Sequence, residues 1–208
     1  MLATASVSQA ARAVVARSVS LGRNCEFGLV QRRYGHEPIG LLRWADSPLE
    51  AVIRGFATRF AHIGESLTLR PSSQGDEWLA LDDATGITFH SEISADRPEE
   101  DVRRQEERRL PRLAEKLLED VADRRKLLVY SSALWRSPRE GLGLLHAVRS
   151  VGDAALLLVA QGAGPLRDFG GRCWGGWLLH LTEVDGALHL GGEAWDALLV
   201  DVAAGFVG

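Results

Sequence analysis

Apolar and polar positions along this chain fall into segments that predict strands and helices in turn. The stretch Ala11 to Leu21 carries Val14, Val15, Ala16, Val19 and Leu21 and predicts a first strand, largely apolar and therefore central in a sheet. Gly22 follows as a turn residue. Residues 24–34 predict a short helix: Phe27, Val30 and Tyr34 recur at helical spacing, Asn24 stands at the N-cap, and Gly35 closes the segment. After an irregular apolar segment from Glu37 to Asp46, Ser47-Pro48-Leu49-Glu50 has the form of a capping box with proline at the first helical position. Leu49, Val52, Ile53, Phe56, Ala57 and Phe60 make one apolar stripe behind it.

Between 66 and 91 the pattern shortens to a period of two. Leu67 and Leu69 alternate with polar residues, and Trp78-Leu79-Ala80-Leu81 and Ile87-Thr88-Phe89-His90 flank the turn Asp82-Asp83-Ala84-Thr85-Gly86. Asp96-Arg97-Pro98-Glu99 opens a long charged helix to about Ala122, with Pro111 expected to kink or divide it. Leu127 to Tyr130 and Ala154 to Ala160 predict buried strands, separated by a helix from the capping box Ser137-Pro138-Arg139-Glu140 to Ser150. A glycine-rich loop spans Gly162 to Gly176. Trp177 to Val184 and Ala187 to Leu190 predict a hairpin around Asp185-Gly186, and Trp195, Leu198, Leu199 and Val202 a last amphipathic helix.

Strands that alternate with helices between 100 and 160 imply parallel, right-handed crossovers, whereas the hairpins add antiparallel strands. The fold class expected is α/β, with a mixed, partly parallel central sheet flanked by helices, in one domain over residues 1–208. Composition narrows the partners. The chain is 46% hydrophobic and 25% charged, with a net charge of −4. An acidic balance argues against nucleic acid or an anionic membrane surface as the main partner. Only Lys116 and Lys126 are lysines, so the basic charge is otherwise arginine. The two cysteines, Cys25 and Cys173, form no paired motif, which suits a reducing compartment. Arg12 and Arg17 interrupt the apolar amino terminus and no apolar run reaches membrane-spanning length, so a cytoplasmic location is expected.

The tripeptide Asn24-Cys25-Glu26 is where chemistry is most concentrated. It puts a cysteine after a strand and a glycine turn, in the first turn of a helix. The first N–H groups of a helix lack partners and the dipole favours negative charge, so a thiol placed there is biased toward the nucleophilic thiolate. The other reading is a buried cysteine acting as a small apolar residue. Elsewhere the signals are thinner. Gly162-Ala163-Gly164 lacks the third glycine of a dinucleotide fingerprint, and Pro165 follows, so no cofactor is expected. His180, Glu183 and His189 match no ligand spacing, so no metal is expected. Cys173-Trp174-Gly175-Gly176-Trp177 reads either as a loop entering a buried strand or as an aromatic wall of a cleft.

The segment Ser20-Leu21-Gly22-Arg23-Asn24-Cys25-Glu26-Phe27-Gly28, with Gln31-Arg32 and Gly40-Leu41-Leu42-Arg43-Trp44-Ala45, resembles a bacterial family of unknown function described as papain-like cysteine peptidases. The order Cys25, Trp44, Phe56 and Phe60, His90, then Arg103 to Arg112 and Leu127 to Tyr130 follows that family over roughly the first two thirds of the chain. Its relatives often carry Pro-Phe-Asp-Trp at Leu41 to Trp44 and aspartate at Ser91, and papain-like enzymes usually carry glutamine at the position of Val19. The resemblance implies Cys25 as nucleophile, His90 as base, and an α+β papain-like arrangement as the alternative fold.

Thiol catalysis further needs a group to orient the base. Glu92 shares a face with His90 if the strand continues, whereas Asp96 reads as a helix cap; Ser131 and Ser132 stay open as candidates. The oxyanion donors expected are the Cys25 N–H, a neighbouring helix N–H and the Asn24 side chain. The function expected is cysteine peptidase or related thiol-dependent acyl hydrolase or transferase, acting on a peptide or other acyl or amide substrate. The alternative is a non-catalytic peptide- or sugar-binding domain whose cleft is lined by Trp44, Trp174 and Trp177.

Overall fold

The computed structural model describes residues 9–132, 138–160, 173–175, 181–184, 187–190 and 192–206. The first element is α1, Gln9–Arg17, and not a strand. Ala11, Val14 and Val15 are buried while Arg12, Ala13 and Ala16 are exposed, which is the i, i+3, i+4 period of one helix face. The strand is only β1, Ser18–Ser20. It leads to α2 (Glu26–Arg33), then to β2 (Ala45–Asp46) and α3 (Leu49–Ala57). The meander β3 (Leu67–Pro71), β4 (Glu77–Asp82) and β5 (Ile87–Ser94) follows. The remaining elements are α4 (Glu99–Ala122), β6 (Leu127–Ser132), α5 (Pro138–Arg149), β7 (Ala155–Ala160), β8 (Cys173–Gly175), β9 (Leu181–Val184), β10 (Ala187–Leu190) and α6 (Gly192–Phe206).

The strands do not merge into one mixed sheet. The parallel strands form a sheet of order β1-β6-β7-β8, the antiparallel ones a separate sheet of order β2-β5-β4-β3, and β9 pairs with β10 alone. The molecule is therefore mixed α/β, with parallel and antiparallel pairing segregated. Hairpin-connected strands need only short turns to pair with each other, whereas β1, β6 and β7 need helical crossovers.

Both faces of the parallel sheet are covered, and successive residues alternate between two cores. Leu128, Tyr130, Leu156 and Leu158 enter a core shared with Val52 and Phe56 of α3, Leu110 and Leu117 of α4, and Ala80, Ile87 and Phe89 of the antiparallel sheet. Leu127, Val129, Leu157 and Val159 enter the opposite core with Val14 and Val15 of α1, Phe27 of α2 and Trp195 and Leu199 of α6. Each fully buried Leu, Val or Phe side chain contributes about 1.5–3 kcal/mol of transfer free energy. α4 runs through Pro111 as one helix. The capping box expected at Ser47 does not cap α3 with its side chain: the residue flanking α3 is Pro48, and that flanking α4 is Pro98, neither with a side-chain cap bond. Ser137 lies outside the described residues. Among the described residues, no helix is long and apolar enough to cross a membrane.

Candidate active site

The connection from β1 to α2 is built by backbone strain and one serine. Gly22 (φ 79°) and Arg23 (φ 77°) are consecutive left-handed residues, a conformation that costs a non-glycine residue energy. Ser47 holds them. Its Oγ accepts the Arg23 N–H at 2.8 Å and donates to the Leu21 carbonyl at 2.9 Å. A Cβ at position 22 would lie 1.9 Å from that Oγ, so glycine is required there twice over. Ser47, expected to cap a helix, instead ties the turn before the cysteine to β2. The Arg23 guanidinium pairs with Asp46 of the same strand.

This turn delivers Cys25 to the position immediately before α2, where its carbonyl accepts the Leu29 N–H at 3.0 Å. The N-cap position of α2 falls on Cys25 and not on Asn24, whose Oδ1 accepts the Glu26 N–H at 3.1 Å in an Asx turn one residue earlier. That bond removes the Glu26 N–H from the set of oxyanion donors. The Cys25 N–H has no acceptor among the described residues. Glu26, buried, anchors the helix start: its carboxyl accepts from Ser131 Oγ at 3.2 Å and from Trp195 Nε1 at 3.1 Å. Ser131, expected as a candidate orienting group for the histidine, thus belongs to the foundation of α2. Cys25 itself is partly exposed.

His90 arrives from the antiparallel sheet. Its N–H donates to the Trp44 carbonyl at 2.9 Å, and its ring stands near enough to the Cys25 side chain for that thiol to govern its titration. Nδ1 lies 2.6 Å from Glu77 Oε1. With Nδ1 facing a carboxylate, Nε2 is the ring nitrogen left for the sulfur. The Cys25 side chain is the largest influence on His90. Together with Glu77, and against the opposing effect of burial, it raises the imidazole from 6.5 to about 9. His90 therefore keeps its proton at neutral pH.

The carboxylate beside His90 is Glu77, not Glu92. Asp82 pairs with Ile87 and Leu79 with His90, so Glu77, two residues before Leu79, shares their face as the diagonal neighbour of His90. The ladder is then interrupted: Glu77 next pairs with Ser94, leaving three β5 residues against Trp78 alone. Glu92 sits in this bulge at φ 57°, exposed. A regular strand would have kept it on the face of His90, but the bulge turns it aside. Its contribution is its backbone N–H, which donates to Glu77 Oε2 at 3.0 Å. Both oxygens of Glu77 are thus held by β5, one by the imidazole and one by the bulge.

The other expected site residues are placed differently. Trp44 is half-buried, with the Arg32 and Arg43 guanidiniums 4.8 and 4.5 Å from its ring centroid. It also lies so close to Gly28 of α2 that a Cβ there would meet the ring at 2.8 Å. Trp44 thus packs on the cysteine-bearing helix while its carbonyl holds the histidine-bearing strand. Trp174 lies in β8 opposite Leu157, its side chain outside the described residues. Trp177 and His180 lie outside the described residues, as does the glycine loop at 162–164. No group of His, Cys, Asp and Glu among the described residues could hold a metal ion.

Sequence reasoning missed Glu77, Ser47 and Glu26. For Glu77 a signal existed: closing the hairpin at Asp82 and Ile87 sets Leu79 against His90 and brings Glu77 to its diagonal. Ser47 carried none, because a serine before a proline at a helix start reads as a cap. With this geometry in view, the chain was compared with protein-family models, curated proteins and solved structures, and none matches it.

Proposed function

We propose that the chain is a thiol-dependent acyl hydrolase or acyltransferase of cysteine-peptidase type, with Cys25 as nucleophile, His90 as acid–base and Glu77 as the residue that positions His90. The observation that carries this reading is the placement of His90 between two groups: Cys25, the largest influence on its titration, and Glu77, whose carboxylate lies on Nδ1. The resemblance of residues 20–45 to the papain-like family points the same way.

The chemistry runs on this chain's own groups. The Cys25 sulfur attacks the substrate carbonyl carbon, forming a C–S bond. The oxygen that takes up the negative charge is received by the Cys25 N–H, which has no other acceptor among the described residues. His90 passes its proton to the leaving nitrogen or oxygen as that bond breaks, yielding a thioester. Water or an acceptor nucleophile then gives a proton to His90 and attacks the thioester. The acyl group departs with that nucleophile, and the sulfur takes its electron pair back as thiolate. Glu77 keeps Nδ1 protonated, so that Nε2 does the proton transfer.

The rival binding-cleft reading draws nothing from Trp44, whose ring is occupied by two guanidiniums and Gly28. The test is alkylation by iodoacetamide at pH 7, read at Cys25 by peptide mass spectrometry so that Cys173 is scored separately. Cys25 should react faster than free cysteine, and Cys25→Ser should lose the signal. Reaction no faster than a free thiol would reject the proposal.

A further inference from the structure

A second site lies along β1, the edge strand of the parallel sheet, and neither Cys25 nor His90 lines it. Cys25 follows the carboxyl end of β1. Ser18, Val19 and Ser20 of β1 and Lys126, which precedes β6, border a pocket of about 110 Å³. Its walls include Gln31 and Arg43, which are 0% and 5% exposed. Each holds a buried polar atom with no partner: Gln31 Oε1 and Arg43 Nε. Buried polar groups are nearly always hydrogen-bonded, so two unpartnered atoms on side chains that line one small pocket call for a partner there.

The orphans also define the chemistry. Gln31 Nε2 donates to the Ser18 carbonyl at 2.9 Å. The amide is thereby oriented, and Oε1 can only accept. The Nη groups of Arg43 are committed to the Pro38 and Gly28 carbonyls, each at 3.3 Å, and to Glu37, leaving Nε–H as a donor. Lys116 and Lys126 both reach Asp120, at 2.6 and 3.4 Å. Three cations against Glu37 and Asp120 leave a positive excess. His36, on the same pocket, is held below its ordinary value by burial and by Arg43 and Lys126, so it stays neutral at pH 7. The ligand must be small, negatively charged, and able to accept from Arg43 Nε–H while donating to Gln31 Oε1.

We infer that this pocket binds a small oxyanion that carries a proton, of which hydrogen phosphate is the simplest. Sulfate has the same shape and carries no proton at pH 7, so the Gln31 acceptor discriminates between the two.

The full-length chain is titrated calorimetrically at pH 7 with sodium phosphate, sodium sulfate and sodium chloride at matched ionic strength. The same titrations are made on the Lys116→Gln/Lys126→Gln double variant, whose replaced side chains are 42% and 30% exposed. Phosphate should bind saturably and about tenfold or more tighter than sulfate, and the double variant should weaken it by about tenfold. Equal binding of phosphate and sulfate would overturn the inference, because Gln31 would then be unengaged. So would a double variant that binds phosphate as the wild type does, or no saturable binding beyond chloride, which would leave the pocket to water.

Discussion

Cys25 and His90 come to one another from two differently built sheets. Cys25 depends on the parallel sheet, whose short strand β1 hands the chain to a strained turn and then to α2, and whose two faces are sealed by separate cores. His90 depends on the antiparallel sheet, where a hairpin register and a bulge bring Glu77 onto its ring. The nucleophile is thus set by local chain geometry over five residues, the base by pairing between strands. Trp44 and Ser47 are the joints: Trp44 packs on α2 and holds the His90 N–H, while Ser47 ties the cysteine turn to the chain beside β2. A site shared by two sheets is only as good as the register between them.

The largest expected effect removes the shared contact. His90→Gln should slow iodoacetamide alkylation of Cys25 at pH 7 by about 30-fold, the drop from a thiolate to the few per cent ionised in a free thiol. A rate within about threefold of wild type would mean that the sulfur does not use the imidazole. Next comes the contrast within the antiparallel sheet. Glu77→Gln should lower the alkylation rate by about 3–10-fold and bring the His90 titration down, because a neutral amide no longer supports the imidazolium. Glu92→Gln keeps its backbone N–H and should leave both unchanged. If Glu92→Gln has the larger effect, the register that pairs Leu79 with His90 does not hold in solution.

A smaller effect tests the nucleophile's side. Ser47→Ala removes an acceptor and a donor from the buried turn and should destabilise the fold by about 1–3 kcal/mol in urea melts. Alkylation at Cys25 should slow as the turn relaxes, while the His90–Glu77 pair in the other sheet keeps its titration. Unchanged stability would show that the two left-handed residues need no such support.

The smallest effect is on stability against pH. His90 is charged in the folded protein up to about 9 and up to 6.5 when unfolded, so its contribution is complete below 6.5 and is lost as pH rises through 9. The wild type should lose thermal stability over that window and Cys25→Ala should lose less. Because the ring is 38% exposed, the loss is small.

The same contrast explains what could be read before the fold was known. Cys25 was visible because a glycine turn and a helix start are written in neighbouring residues. The long helix α4 and the hairpin around Asp82 to Gly86 were likewise local. Glu77 could be reached only through the hairpin register, because its partner is thirteen positions away and the predicted strand begins at Trp78. Glu92 was favoured by strand periodicity, which a bulge breaks without a signature in the sequence. Ala11 to Leu21 was read as a strand because its apolar run hides the exposed Arg12, Ala13 and Ala16 that mark a helix face. Ser47 was assigned to the helix after it, whereas its hydroxyl serves a turn twenty-four residues earlier.

Nuclear magnetic resonance titration of the His90 ring, in wild type and in Cys25→Ala, addresses the sulfur–imidazole pair most directly. The wild-type ring should titrate near 9 and move toward 6.5 when the sulfur is removed, because the Cys25 side chain is the largest influence on it. A ring that titrates at 6.5 in both proteins would contradict the pairing on which the account rests.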